Sequence, residues 1–243
     1  MPGAEKDQVL HAMRLADRIS INLEAPNAAR LARIAPHKQF EEQLLQPFLW
    51  MQKLQTDLVP EDTWRKRWPS SATQFVVGAA DETDVEILDT VAKLHTITGF
   101  RRAYFLAFRP MRDTPLDHLP AQDPRRQDRL YQAAFLLRDY GFDLEDLCFE
   151  QDGNLSLDRD PKLRYAQQTL QDTPLELNHA EQHQLLRVPG IGPRAAKAIL
   201  QARKERTLND LSQLHKMGIL AERAAPYILL NGRRPAQQLS LFS

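Results

Sequence analysis

Between residues 185 and 204 the chain reads LLRVPGIGPRAAKAILQARK. Two apolar residues at the end of one helical stretch, Leu185 and Leu186, run into Val188-Pro189-Gly190-Ile191-Gly192. A second helical stretch follows, with Ala195, Ala196, Ile199 and Leu200 recurring along one side. Few folds accept this pattern. Glycines at 190 and 192 admit positive φ and close approach of another backbone, and Ile191 between them is expected to plug the gap between the two helices. The amides of Gly190, Gly192 and the first turn of the second helix then face outward, as an N-terminus suited to a phosphate oxygen. Arg194 and Lys197, one turn apart beside it, can add charge-assisted contacts. Val188, Gly190, Ile191, Gly192, Arg194 and Lys197 are the candidate binding residues. The plainer alternative is an ordinary αα-hairpin with a glycine-rich turn.

A weaker copy follows in LSQLHKMGILAERAAPYIL (211–229). Met217-Gly218-Ile219 takes the place of the first turn, Leu220 stands where the second glycine was, and Ala224 and Ile228 repeat the inner positions. Leu220 is expected to resist a glycine conformation and to block phosphate, which makes the second hairpin structural. Charge points the same way. The chain has 32 Lys and Arg against 32 Asp and Glu, yet residues 187–234 hold ten basic residues and three acidic ones, a net +7 that leaves residues 1–186 at −7. A basic segment on a neutral chain suggests a polyanion partner, against the alternative of a solvated helical surface.

Upstream the periodicity changes. Ile19, Ile21 and Leu23 alternate with Ser20, Asn22 and Glu24 as in a strand. Residues 27–55 read as mostly helical, with a kink or break at Pro47, and 59–71 as a loop. TQFVVGA (73–79) is a short apolar run suited to a buried parallel strand. In DETDVEILDTVAKLHTITG (81–99), Val85, Leu88, Val91 and Leu94 recur at helical spacing, which predicts a helix with Asp81 as its cap and Gly99 as its stop; 101–108 reads as a third strand. Strand, helix, strand, helix, strand implies parallel βαβ units. After Pro110 the strand signal ends; helices are predicted over 125–140 and from Asp160-Pro161, and only helix and tight turn from Asn178 on. The Pro- and Asp-rich stretch 109–124 marks a change of domain.

Composition narrows the chemistry. A single cysteine, Cys148, excludes an internal disulfide framework and any several-thiolate metal site, and a reducing cytoplasm is the simplest reading. The seven histidines are scattered, with no metal spacing and no Ser/His/Asp constellation. No apolar run approaches the roughly 18–20 residues that span a bilayer, and the first residues lack the pattern of a signal peptide. No membrane partner is expected.

The glycine turn with its basic second helix resembles the helix-hairpin-helix motif of DNA repair and recombination proteins, which implies gripping the DNA backbone without reading sequence. Several stretches together, MPGA (1–4), LADRISINLE (15–24), VVGAADETD (76–84), RLYQAAFLLRDYGF (129–142) and LDRDPKLRYA (157–166), resemble the DNA modification/repair radical SAM proteins that carry a carboxy-terminal helix-hairpin-helix. The resemblance covers nearly the whole chain. It implies a fragment of a partial (βα) barrel with parallel strands over 1–115, a helical connecting region over 116–177, a tandem helix-hairpin-helix domain over 178–232 and a tail over 233–243. In the family a three-cysteine loop binds a [4Fe–4S] cluster that cleaves S-adenosylmethionine. That loop is absent here, so the chain is expected to hold no cluster alone, and the missing half is expected as a separate polypeptide, as a part lost to a frameshift, or as sequence upstream of the assigned start. The resemblance places S-adenosylmethionine in the barrel lumen, which the polar side of the first strand, Ser20, Asn22 and Glu24, would face. The alternative is a non-enzymatic DNA-binding module.

The sequence ends RRPAQQLSLFS. Gln238, Leu239, Ser240, Leu241 and Phe242 match at all five positions the peptide by which bacterial replication and repair proteins dock on the sliding clamp. The resemblance implies the clamp as a partner. The alternative is that Leu239, Leu241 and Phe242 fold back on the helical domain.

Overall fold

Three strands run parallel in the order β1–β2–β3: β1 (Arg18–Ser20), β2 (Ser70–Val77) and β3 (Arg102–Ala107). The structure, a computed structural model, describes residues 3–235. Two compact units divide the chain: one takes in everything through Ala134 together with Phe149–Leu157, the other Phe135–Cys148 and the chain from Asp158 on. The boundary falls inside a helix, downstream of the 109–124 stretch singled out by composition.

In the first unit α1 (Lys6–Leu15) precedes β1. Between β1 and β2 lie α2 (Ala28–Ile34), a π-helical turn (Phe40–Leu45) and α3 (Gln46–Asp57). Pro47 stands where the π turn gives way to α3, in the first turn that lacks amide partners anyway, so the break predicted there is a change of winding. The 59–71 loop contains one 3-10 turn, Pro60–Asp62, and its last two residues already belong to β2.

The helix α4 (Asp84–Thr98) ends at Gly99, at φ +63°, as predicted. Its cap differs. Thr83, and not Asp81, caps it: the Thr83 hydroxyl accepts from the Glu86 amide (3.3 Å) while the Thr83 amide donates back to the Glu86 carboxylate (2.8 Å). Asp81 instead sits in the preceding turn at φ +57°.

One face of the sheet is packed. Ile21, Leu23, Phe75, Val77, Ala103 and Phe105 are buried on it, as are the apolar sides of α3 and α4. The Phe75 and Phe105 rings stack at 5.9 Å. β1 is shorter than its alternation suggests, but pairing continues irregularly: Ile21 donates to Ala72, and Glu24, at φ +66°, exchanges backbone bonds with Gln74 and Val76. The outer edge of β3 is covered by side chains of α5 (Pro124–Asp139). The Phe105 amide donates to the Tyr131 hydroxyl (3.1 Å) and the Ala107 amide to the Gln127 carbonyl (2.9 Å), so that edge cannot accept another strand. Among the described residues this is an open three-stranded sheet.

The second unit holds the end of α5, α6 (Pro161–Thr169), β4 (Leu175–Glu176), α7 (Gln182–Leu185), α8 (Pro193–Glu205), α9 (Leu211–Lys216), α10 (Ala221–Ala224) and β5 (Ile228–Leu229). Asp160 caps α6 and Pro161 takes its first position, as the sequence implies. The expectation of helix and turn alone after Asn178 is corrected by β5, which pairs in parallel with β4. Two-residue strands leave no periodicity to read. Leu177, Leu185, Val188, Ile191, Ala196, Ile199, Leu214 and Ile219 form one buried cluster.

Candidate nucleic-acid interface

α7 is a single turn, and Val188 behind it is fully buried, its amide donating to Leu185. The chain reverses at Gly190, φ +82°. Ile191 is buried between the helices, as the sequence predicts for a plug, and its amide donates to Val188 (3.1 Å). Gly192 then starts α8 in an extended conformation, φ −103° and ψ −178°, and offers no side chain to cap it. Pro193 has no amide, so the first-turn donors of Arg194 and Ala195 are directed at whatever lies beyond the turn. Arg194 and Lys197 are exposed one turn apart, and neither has an ion-pair partner among the described residues.

The two glycines do different work from that predicted. Only Gly190 uses the left-handed region; Gly192 needs no glycine conformation. A Cβ on Gly190 would stand 2.7 Å from the Leu220 carbonyl oxygen and 3.2 Å from the Arg223 Cβ, so the close approach is to the second hairpin's backbone. In that hairpin Gly218 repeats the turn at φ +73°, Ile219 repeats the plug, and Leu220 starts α10 at an unstrained φ of −74°. Leu220 therefore resists no conformation. It differs from Gly192 by bulk: Leu220 is 60% exposed, whereas Gly192 has no side chain and sits close to the Tyr140 hydroxyl.

The charge count also needs correction. Arg187 pairs with Asp146 (2.7 Å) and lies over the Phe142 ring (4.6 Å). Arg203 donates to the carbonyls of Leu177 and Ala180, Arg223 pairs with Asp160 (2.9 Å), and Arg234 donates to Gln171 (2.8 Å). These four brace the fold. The other six, Arg194, Lys197, Lys204, Arg206, Lys216 and Arg233, are all exposed, as are Arg223 and Arg234.

Two residues outside the motif support the turn, and sequence reasoning missed both. The Lys162 ammonium donates to the Ile191 carbonyl (2.6 Å) and lies 4.6 Å from the Tyr140 ring centre. Burial pushes the Lys162 pKa down to about 7; Asp160 opposes that shift and Arg223 adds to it. The Tyr140 hydroxyl would be 3.3 Å from a Cβ on Gly192. Lys162 follows the helix-starting Asp160-Pro161 in sequence, but nothing local links it to a turn some thirty residues on.

The other predicted site residues lie elsewhere. The Ser20 hydroxyl donates to the Asn22 side-chain carbonyl (2.9 Å), while Glu24 is held by Lys38 (3.2 Å). Ser20 and Asn22 come together, and the Glu24 carboxylate is engaged by its own partner. Gln238–Phe242 lie outside the described residues. Among the described residues no group of three or more His, Cys, Asp or Glu is placed to hold a metal ion, and no helix is long and apolar enough to cross a membrane.

A model of the helix-hairpin-helix motif matches residues 171–225, from just before β4 to the end of α10. No curated protein and no solved structure matches the chain. The match supports nucleic-acid binding by the helical end of the chain; the radical SAM resemblance gains no support from these comparisons.

Proposed function

We propose that this chain binds DNA through the 188–197 turn and grips the sugar–phosphate backbone without sequence preference. One observation carries the reading: an uncapped thirteen-residue helix begins at a residue with no side chain, flanked by two exposed cations with no partner among the described residues. A phosphate oxygen satisfies the orphan amides and the charges together, whereas a base edge finds no reader there. The second hairpin is the support against which Gly190 packs. Replacing Gly192 by Val puts two methyl groups in the phosphate path, toward Tyr140. Duplex binding is expected to fall at least tenfold with the melting temperature nearly kept; unchanged binding would refute the assignment.

A second reading, that the chain is the carboxy-terminal part of a radical SAM enzyme acting on DNA, is favoured by three parallel strands with an open polar face that carries Ser20 and Asn22. The donors for its iron–sulfur cluster do not fit this chain: Cys148 is the one cysteine, and such clusters take three or four thiolates. In that reading the cluster belongs to residues beyond this sequence. The tail Gln238–Phe242 would deliver either kind of protein to a sliding clamp.

A further inference from the structure

Among the described residues, the face of the sheet opposite the core is exposed or half-buried except at Ala72. Register puts Arg18 and Ser20 of β1, Ser70, Ala72, Gln74 and Val76 of β2, and Arg102, Tyr104 and Leu106 of β3 on one side. A connected string of side chains crosses it. The Arg18 guanidinium donates to the Tyr104 hydroxyl (3.1 Å) and to the Ser70 hydroxyl (3.3 Å), reaching across β2. Arg102 lies 5.9 Å from the Tyr104 ring centre. On the other side of Arg18, Asp17 holds Arg65 and Arg67, each at 3.3 Å.

Those two arginines belong to WRKRW (64–68), a basic run between two tryptophans. The run is fastened in place: the Trp64 amide donates to the Arg14 carbonyl (2.8 Å), and Arg14 reaches Asp62 (3.6 Å). Trp64 is nevertheless 64% exposed, with the Arg65 guanidinium 5.5 Å from its ring centre. Arg65 and Arg67 thus pair with Asp17, the residue before Arg18, with Lys66 exposed between them, on a stretch of chain whose overall charge is −7. Trp64 places a large aromatic ring in water beside these cations.

We infer that this face binds single-stranded nucleic acid, with phosphates along the Arg65–Arg18–Arg102 string and bases stacked on Trp64 and Tyr104. Charge complementarity selects a polyanion, and the exposed Trp64 and half-buried Tyr104 rings among the cations select unpaired bases over a closed duplex, whose bases are already stacked. The Tyr104 hydroxyl, held below its usual pKa by Arg102 and Arg18, adds to the evidence that the local field favours negative charge. The inference does not depend on the hairpin, which grips backbone by a different device.

The test uses the full chain and a thymidine oligonucleotide of about 15 nucleotides. Tryptophan fluorescence should be quenched on titration, and Trp64→Phe should remove most of that quenching although two other tryptophans remain. The triple variant Arg65→Ala/Lys66→Ala/Arg67→Ala, all at exposed positions, should bind at least tenfold more weakly, with a salt slope smaller by about 2. Arg194→Glu/Lys197→Glu should keep the quenching while losing duplex binding, so failure here and failure of the hairpin reading give different results. The inference is overturned if the triple variant binds the oligonucleotide as wild type does. It is equally overturned if polyglutamate quenches Trp64 as well as the oligonucleotide, which would mark the face as a dock for an acidic protein.

Discussion

Three glycines with three different reasons to be glycine show how the site is built at the scale of single residues. Gly190 needs both positive φ and the absence of a Cβ, Gly218 needs only the φ, and Gly192 needs no positive φ, its Cβ meeting only the Tyr140 hydroxyl at 3.3 Å. Gly190→Ala adds the left-handed cost of about 1 kcal/mol to a clash with the Leu220 carbonyl, and should destabilise by about 2–3 kcal/mol. Gly218→Ala should cost about 1 kcal/mol, and Gly192→Ala no more than about 1 kcal/mol as the loss of a backbone cap. Urea unfolding of the three variants gives the order, and equal losses at 190 and 192 would contradict it. Lys162 makes a further test. Its folded-state pKa, about 7, lies below the unfolded 10.5, so between those values the unfolded chain binds more protons. Stability should therefore rise as pH climbs from about 7 toward 10, with the penalty fully present below 7. Lys162→Met should flatten that rise in thermal unfolding measured across pH; an unchanged profile would show that the lysine is not desolvated in solution.

At the scale of elements, legibility followed local regularity. β2, β3, α4, α5 and α6 each carry their own signal in apolar runs, helical spacing, a glycine stop or a helix-starting Asp-Pro. The cap of α4 has a sequence pattern of its own, since Thr83 and Glu86 stand three apart as a capping box, a stronger cue than the acid at Asp81. β4 and β5 were not legible, because each is two residues long and meets a partner more than fifty residues away. The same holds for what locks the start of α4. Arg126 of α5 donates to buried Asp84 (2.7 Å) and to the Glu82 carbonyl (2.7 Å), and the second Asp84 oxygen accepts from the Leu155 amide (2.8 Å). Such a pair is fixed by packing and leaves no pattern in the sequence. Arg126→Met strands a buried carboxylate and should cost about 3–5 kcal/mol. Chemical denaturation with a loss under about 1 kcal/mol would mean that water already reaches Asp84.

For the whole molecule, the uneven charge legible in the sequence pointed to the helical end but overstated its free charge, because Arg187, Arg203, Arg223 and Arg234 are engaged by carboxylates or carbonyls of their own unit. It also hid the basic string on the sheet, which an acidic average conceals. In the sequence the turn at 188–192 was plain, while its support by Tyr140 and Lys162 was not. The tail is tested apart from the folded units: a peptide of residues 233–243 should bind a bacterial sliding clamp with a dissociation constant of about 1–100 μM, and Leu241→Ala/Phe242→Ala should abolish it. Equal anisotropy changes for both peptides would remove the clamp from the account. The central claim is that the 188–197 turn binds phosphate, and the salt dependence of duplex affinity tests it most directly. With about three phosphates neutralised, log K against log salt should fall with a slope of about −2 to −3 for the wild type. Arg194→Glu/Lys197→Glu should lower the affinity at least tenfold and bring the slope toward −1. Equal affinity and equal slope in the two proteins would contradict it.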